Sequence, residues 1–495
     1  MAVSRKREIS PGKLFLIRRS FFVFELMLLG GFIYEVHRLK LPVAVDDLFS
    51  WLPLAYMRRL IGIIPLIAGM ALIRLAQLET ERRARRTDWS RLGFLKLNLK
   101  LLLLPVIPLL AFLGFNDIIS HSPLRVRLFF IDNSYISWLV LASIIVLLFV
   151  KAPYILRGIW RATPLKDPEL RGVIESLAQK EGVRFKEIMV WHTGEARVAN
   201  AGVAGLLPWS RRIFLTDYLL ENFTPEEIET IVAHEFGHVK YKHIWVYLAF
   251  SLSYFSAATL YYSYAEPVYR DLFGGGPIAG AISVLFFFYF YLILLFRLLS
   301  RRFEHQADIY AVEVTGKPRV YAFALLKLAE LNYVPRAIKR IFELMLTHPS
   351  VERRIYIVGR YVGGDPEVAK FRRTLPEVKL IALAVPLTLG LLIASPDKTL
   401  FESESDYHYL RGLQFHREGM WDEAIREFSE AIKLNPSDKE AYLARALSYY
   451  RSGRLEEAIL DLFKLREMVE DGKVRRVIEE MILEIDSERS KKAPG

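Results

Sequence analysis

Phe223-Thr224-Pro225-Glu226-Glu227-Ile228-Glu229-Thr230-Ile231-Val232-Ala233-His234-Glu235-Phe236-Gly237-His238 is the stretch on which the reading of this chain turns. It announces a helix. Thr224 offers a capping oxygen, Pro225 suits the first helical position, and Glu227 completes a capping box. Phe223 and Ile228 stand at the spacing of a hydrophobic staple. On such a helix His234 and His238 are four residues apart, so one turn sets both imidazoles on the same face, within reach of one tetrahedral zinc. Glu235 follows the first of them directly. That places it to take a proton from a water at the metal, not to bind the metal itself.

A catalytic zinc usually has three protein ligands. His243 falls one residue short of the H-x-x-G-x-x-H spacing, and Tyr241 stands where that pattern has glycine. Glu266 follows the apolar run Ile244–Ala265 and is expected on the other side of a membrane. Glu304 follows a second apolar run, Phe273–Phe296, and returns to the side of His234. Asp308 comes one helical turn after Glu304, suited to orient a ligand histidine. The expected ligand set is therefore His234, His238 and Glu304, with Asp308 behind it, for one zinc ion per chain.

Those two runs belong to a larger pattern. The chain has 495 residues, 53% of them hydrophobic, and the apolar residues are clustered as in membrane spans. Tyr135–Val150, Ile244–Ala265 and Phe273–Phe296 are the clearest spans. Leu101–Phe115 and Leu380–Ser395 are a little short. Ser20–Val36 carries Glu25 and Glu35, and Leu60–Ile73 is clipped by Arg59 and Arg74. The N-terminal arginines followed by an apolar run predict a retained anchor, because no small-residue cleavage site follows. There is no cysteine, which excludes disulfides and leaves metal binding to His, Asp and Glu. The net charge is +12, but much of the surplus lies beside apolar segments, at Arg82, Arg83, Arg85 and Arg86 and at Arg301 and Arg302. That is the placement of membrane-flanking charge and argues against nucleic acid as a partner.

Between the apolar runs lies polar sequence with mixed patterning: a helix at Pro168–Lys180, strands at Glu187–Trp191 and Arg212–Thr216, and a mostly helical segment from Arg297 to Lys379. Beyond Ser395 an internal repeat begins. Gly412 and Ala446, Gly419 and Gly453, Ala424 and Ala458, and Phe428 and Leu462 are each 34 residues apart. This resembles the tetratricopeptide repeat, which presents a groove to a peptide or protein partner. Two units and a helix at Val474–Ser487 make the expected stack.

The order H-E-F-G-H, two apolar runs, then Ser300-Arg301-Arg302-Phe303-Glu304-His305-Gln306-Ala307-Asp308 resembles the HtpX-type membrane metalloproteases, to whose broader group the CAAX prenyl proteases belong. The likeness covers roughly residues 150–360. Asn200-Ala201-Gly202, Ile213-Phe214-Leu215-Thr216-Asp217 and Thr347-His348-Pro349-Ser350 with Arg354 match further family motifs. The resemblance implies that His348 and Arg354 help stabilise the tetrahedral intermediate. It also implies that Asn200 and Ala201 lie on an edge strand that aligns substrate backbone. The family's usual pattern has fewer N-terminal spans and no repeat module, so its substrate rules transfer poorly.

The expectation is thus a mainly α, polytopic membrane protein: an N-terminal membrane region (1–150, about four spans), an α+β zincin-like metalloprotease domain (151–377) with two inserted spans (244–265 and 273–296), a further span (378–396) and a repeat domain (403–490). The expected activity is zinc-dependent endopeptidase action with Glu235 as base, on damaged or misassembled proteins of a bacterial cytoplasmic membrane. Specific processing of the CAAX type is the rival enzyme reading. A scaffold that recruits partners through the repeats is the non-enzymatic one, disfavoured by the intact ligands and Glu235. The arginines of loop Leu75–Lys100 place that loop and the active site in the cytoplasm. If Leu380–Ser395 spans, the repeats lie outside it.

Overall fold

The computed structural model describes residues 10–38, 55–85, 87–103, 117–261, 295–338, 348–368, 404–469 and 472–492, with a few isolated positions between. The chain opens with helices α1 (Pro11–Arg38), α2 (Ala55–Arg85) and α3 (Arg91–Leu103), then α4 (Leu124–Asp132) and α5 (Ser134–Ile159). Strands and helices then mix: β1 (Thr163–Pro164), α6 (Pro168–Glu181), β2 (Glu187–Trp191), β3 (Ala201–Ala204), β4 (Arg212–Thr216), α7 (Asp217–Asn222) and α8 (Pro225–Lys240). Next come α9 (His243–Leu260), α10 (Phe296–Thr315), α11 (Pro318–Leu331) and α12 (Val351–Val362). Last are α13 (Glu404–Arg417), α14 (Trp421–Leu434), α15 (Lys439–Arg451), α16 (Leu455–Met468) and α17 (Gly472–Lys492). The chain divides into two compact units, Met1–Phe112 with Ser143–Thr388, and Leu113–Ala142 with Leu389–Gly495.

In the first unit α1 packs against α2. Two of the charges that weaken these segments as spans meet between them, Arg74 with Glu25 at 2.7 Å, and Arg18 pairs with Glu81 at 2.7 Å. A carboxylate in an apolar helix is costly unless a partner meets it, and each helix carries the other's partner. Among the described residues, Ile61–Arg85 and Leu139–Ile159 are long and apolar enough to cross a membrane. They contain most of the expected runs Leu60–Ile73 and Tyr135–Val150. Leu380–Ser395 and Glu266 lie outside the described residues, as do most of Leu101–Phe115 and Phe273–Phe296.

The sheet of this unit has the order β1-β2-β4-β3. β2 and β4, where strands were expected, run parallel, with Glu187 opposite Arg212 and Trp191 opposite Thr216. β3 is antiparallel to β4 and forms the edge, with Ala201 opposite Leu215. α8 lies across one face. Ile228, Ile231, Val232 and Phe236 meet Ile188, Ile213 and Leu215 of the sheet and Ile174 and Leu177 of α6 in one core. Burying each such aliphatic chain contributes about 1.5–3 kcal/mol. α6 is capped by Asp167, whose carboxylate accepts from the N–H groups of Glu169 and Leu170.

In the second unit α13 packs on α14 and α15 on α16, two helical hairpins followed by α17. Ala424 and Ala458, equivalent in the repeat, are both fully buried. Gly412 faces Phe428, and a Cβ at Gly412 would lie 2.6 Å from that ring. Arg445 grips Asp461 with two bonds of 2.7 Å. α4 belongs to this unit: Arg127 pairs with Glu418, and Asp132 with Arg411 and Tyr407.

Candidate active site

α8 begins as its sequence dictates. Thr224 Oγ1 accepts from the Glu227 N–H at 3.2 Å and Glu227 Oε2 accepts from the Thr224 N–H at 2.9 Å. With its apolar stripe on the sheet, the helix turns His234, Glu235 and His238 into a cavity of about 520 Å³. α10 crosses close by. A Cβ on Gly237 would stand 3.0 Å from Ala307 Cα, so the glycine is what allows this approach. Glu304 sits one turn before Ala307 on α10, and the contact carries its carboxylate to the histidines.

His234 Nε2 and His238 Nε2 are 3.2 Å apart, and Glu304 oxygens lie 3.5 Å from each of them. Ligand atoms on a tetrahedral zinc at about 2.0–2.1 Å stand about 3.3 Å from one another. The two nitrogens stand at that separation, the carboxylate straddles them with Oε2 toward His234 and Oε1 toward His238, and one donor atom from each residue lies within 4.8 Å of the others. The chemistry of the set, two imidazoles and a carboxylate, suits zinc. Among the described residues they form the one group of three or more potential donors spaced for a metal ion.

Two relays hold the imidazoles. Asp308, fully buried, has Oδ1 3.1 Å from His234 Nδ1 and accepts from the Tyr321 hydroxyl at 2.6 Å and from Arg354 Nη2 at 2.6 Å. An Nδ1–H aimed at Asp308 leaves His234 Nε2 with its lone pair toward the metal position. On the other side, His238 Nδ1 lies 2.8 Å from His243 Nδ1, and His243 Nε2 lies 2.9 Å from Gln306 Oε1. The amide oxygen accepts only, so His243 carries its proton on Nε2. Its Nδ1 then accepts from His238, again freeing Nε2 of His238. His243 is stacked on Phe303 with centroids 4.0 Å apart. It is a support for a ligand.

Burial pushes the Glu235 carboxyl up, which suits a group that must hold a proton in turnover. Its Oε2 accepts from the Val203 N–H of β3 at 3.2 Å, tying it to the edge strand. Burial acts to raise Asp308 as well, but the Arg354 guanidinium together with the hydrogen bonds from His234 and His305 outweighs it and holds that carboxyl well below its ordinary range. Burial likewise acts to raise Glu304, but His348 and His234 together, by charge and hydrogen bond, hold it well below its ordinary range. Burial and the neighbouring Arg354 press His234 down, yet its hydrogen bonds to Asp308 and Glu304 raise it to about 9. Burial first, then the His234 charge, lower His238 to about 3.

The remaining expected residues converge on the same cavity. Asn200, Ala201, His348 and Arg354 all line it. His348 is largely exposed, with Nδ1 2.9 Å from Glu304 Oε2. Arg354 is spent mostly on Asp308 and Tyr321. Asn200 joins the sheet, its N–H donating to Thr216 Oγ1 at 2.9 Å and its carbonyl accepting from the Thr216 N–H at 3.0 Å. Tyr321 and Gln306 escaped the sequence reading. Gln306 is two residues past Glu304 with no spacing rule to mark it, and Tyr321 is brought in by the turn between α10 and α11.

Residues 164–360 match Peptidase family M48, and residues 409–466 match a tetratricopeptide repeat. The protease HtpX homolog of Pyrococcus abyssi is 28% identical over 211 residues, which cover 38% of this chain and 71% of that protein. The protease HtpX homolog 1 of Streptomyces coelicolor is 28% identical over 261 residues, 45% of this chain and 83% of its own. The chain also aligns with the crystal structure of S. mikatae Ste24p at a TM-score of 0.48 and 19% identity, over 70% of this chain and 87% of that one. The segment that builds α8 and α10 thus matches Peptidase family M48, and tetratricopeptide repeats are matched C-terminal to it.

Proposed function

We propose that this protein is a membrane-embedded zinc endopeptidase. The observation that carries the reading is the convergence of His234, His238 and Glu304, one donor atom from each within 4.8 Å of the others, with Glu235 beside them. These three residues would hold the ion, which when bound supplies Lewis-acid chemistry that acidifies a water and polarises a peptide carbonyl. Glu235 takes the proton of the attacking water and passes it to the leaving amide nitrogen. His348 reaches into the cavity from solvent and donates to the oxygen that becomes negative. Arg354 adds positive charge at the same wall while holding Asp308 in place. Ala201 offers its N–H and C=O along the free edge of β3, because its neighbours in the strand turn theirs toward β4. A substrate segment is aligned there by strand addition, with Asn200 at its margin.

The substrates in this reading are membrane proteins in need of removal, cut on the cytoplasmic side of a cytoplasmic membrane, and the repeats recruit a protein partner. The length and apolar character of α2 and α5 support the polytopic arrangement, and the arginines ending α2 support a cytoplasmic loop after it. Within the second unit, α4 lies between the expected spans Leu101–Phe115 and Tyr135–Val150 and is ion-paired to α13. That supports a repeat module on the outer side, where this loop emerges. A periplasmic reporter fused after Gly495 is expected to be active; an inactive one defeats the external placement.

The activity is tested by Glu235→Gln. The purified variant is expected to retain zinc while casein cleavage falls about 10²–10⁴-fold. Cleavage at the wild-type rate would remove Glu235 from the mechanism.

A further inference from the structure

The other face of the edge strand holds a second cavity, of about 180 Å³, that runs along all of β3 and shares Asn200 and Ala201 with the zinc cavity. Its walls are Leu156 near the end of α5, Trp160, Trp191 and Phe214. Trp160 is stacked on Trp191, centroids 4.1 Å apart and planes within 9°, and meets Phe214 edge-on at 5.2 Å. The floor is Gly202, where an added Cβ would meet nothing within 4 Å.

Side chains of a strand alternate between the sheet's faces, and residues directly opposite each other share a face. Ala201 and Val203 of β3 pack on the α8 side, whereas Ala204 packs with Trp160 and Phe214 on the other. Gly202 therefore belongs to the Trp160 face. A segment added to β3 sends the side chain opposite Ala201 toward the zinc cavity and the side chain opposite Gly202 into the tryptophan cavity. An apolar cavity of about 150 Å³ accepts benzene, so this one holds a phenyl ring. The missing side chain at Gly202 leaves the way open.

We propose that this cavity is a substrate subsite for a large apolar side chain, aromatic by preference, on the residue paired with Gly202. The proposal rests on the peptidase reading above and adds a specificity element to it. Aromatic walls reward a ring beyond the area it buries, and the subsite commits the enzyme to extended segments carrying such a residue at one fixed offset from the cut bond.

The test is a peptide series cleaved by the purified, zinc-loaded full chain in detergent, with cut sites read by mass spectrometry. Wild type is expected to favour Phe over Ala at one position by at least tenfold in kcat/KM. Gly202→Ala is expected to lower that Phe/Ala ratio, Gly202→Val to bring it to about one, and Trp160→Ala to lower it at least threefold, with no shift at other positions. An unchanged ratio in Gly202→Val and Trp160→Ala overturns the subsite while leaving the peptidase intact. No cleavage of any peptide by wild type overturns the peptidase reading and the subsite with it.

Discussion

Two helix pairs in this chain rest on the same device and do different things with it. In the peptidase domain Gly237 lets α8 approach α10, with Ala307 filling the gap. In the repeat Gly412 lets α13 receive the ring of Phe428 from α14. Each pair also encloses or adjoins an arginine–aspartate grip, Arg354 on Asp308 and Arg445 on Asp461. In the repeat the close contact ends in shape: small residues and a ring interlock, and the ion pair ties α15 to α16 within the second hairpin. In the peptidase domain the same contact sets a carboxylate 3.5 Å from two imidazoles, and the ion pair aims one of them. Close packing is the means by which α8 and α10 hold a donor geometry that no local signal could fix.

The two aspartates carry the largest expected effects. Asp308→Ala strands the Arg354 guanidinium without its carboxylate and releases His234, so stability is expected to fall by about 3–5 kcal/mol and zinc affinity by about 10–100-fold. Chemical denaturation and zinc titration of the same preparation measure both. Asp461→Ala is expected to cost the repeat a similar stability and leave zinc affinity unchanged; a change in zinc affinity there would end the contrast.

The glycines come next. Gly237→Ala forces α10 away by tenths of an ångström, at a cost of about 1–3 kcal/mol, and peptidase activity is expected to drop at least tenfold because Glu304 moves with the helix. Gly412→Ala meets the Phe428 ring and is expected to lower the melting temperature of the repeat with peptide hydrolysis retained. Equal loss of activity in the two variants would show that the repeat contact also governs the site. The smallest effect is expected of Gln306→Ala, which removes the far end of the His243 relay: zinc affinity falls about tenfold, and added zinc restores activity. Activity that stays low at saturating zinc would give Gln306 a role beyond the metal.

What the sequence disclosed follows from the range of the forces involved. The capping box, the stripe of Ile228, Ile231, Val232 and Phe236, and the i,i+4 pair of histidines are local, so α8 was legible residue by residue. β2 and β4 were legible as short apolar runs. Glu304 needed the assumption of two crossings, and Asp308 followed as one turn beyond it. The 34-residue spacing located the repeats because Gly412 and Ala446 mark the same contact twice. The pairing of α1 with α2 was not legible, since Glu25 reads as a defect in a span until Arg74 is known to face it. Tyr321, the His243–Gln306 relay and the tryptophan cavity were hidden for the same reason. Each is assembled from elements whose meeting depends on the whole fold.

If His234, His238 and Glu304 together hold one zinc ion, the metal content of the purified protein depends on all three, and elemental analysis measures it. Wild type is expected to carry about one zinc per chain and Glu304→Ala close to none, with α8 and the rest of the fold intact by circular dichroism. Full zinc in Glu304→Ala would contradict this dependence.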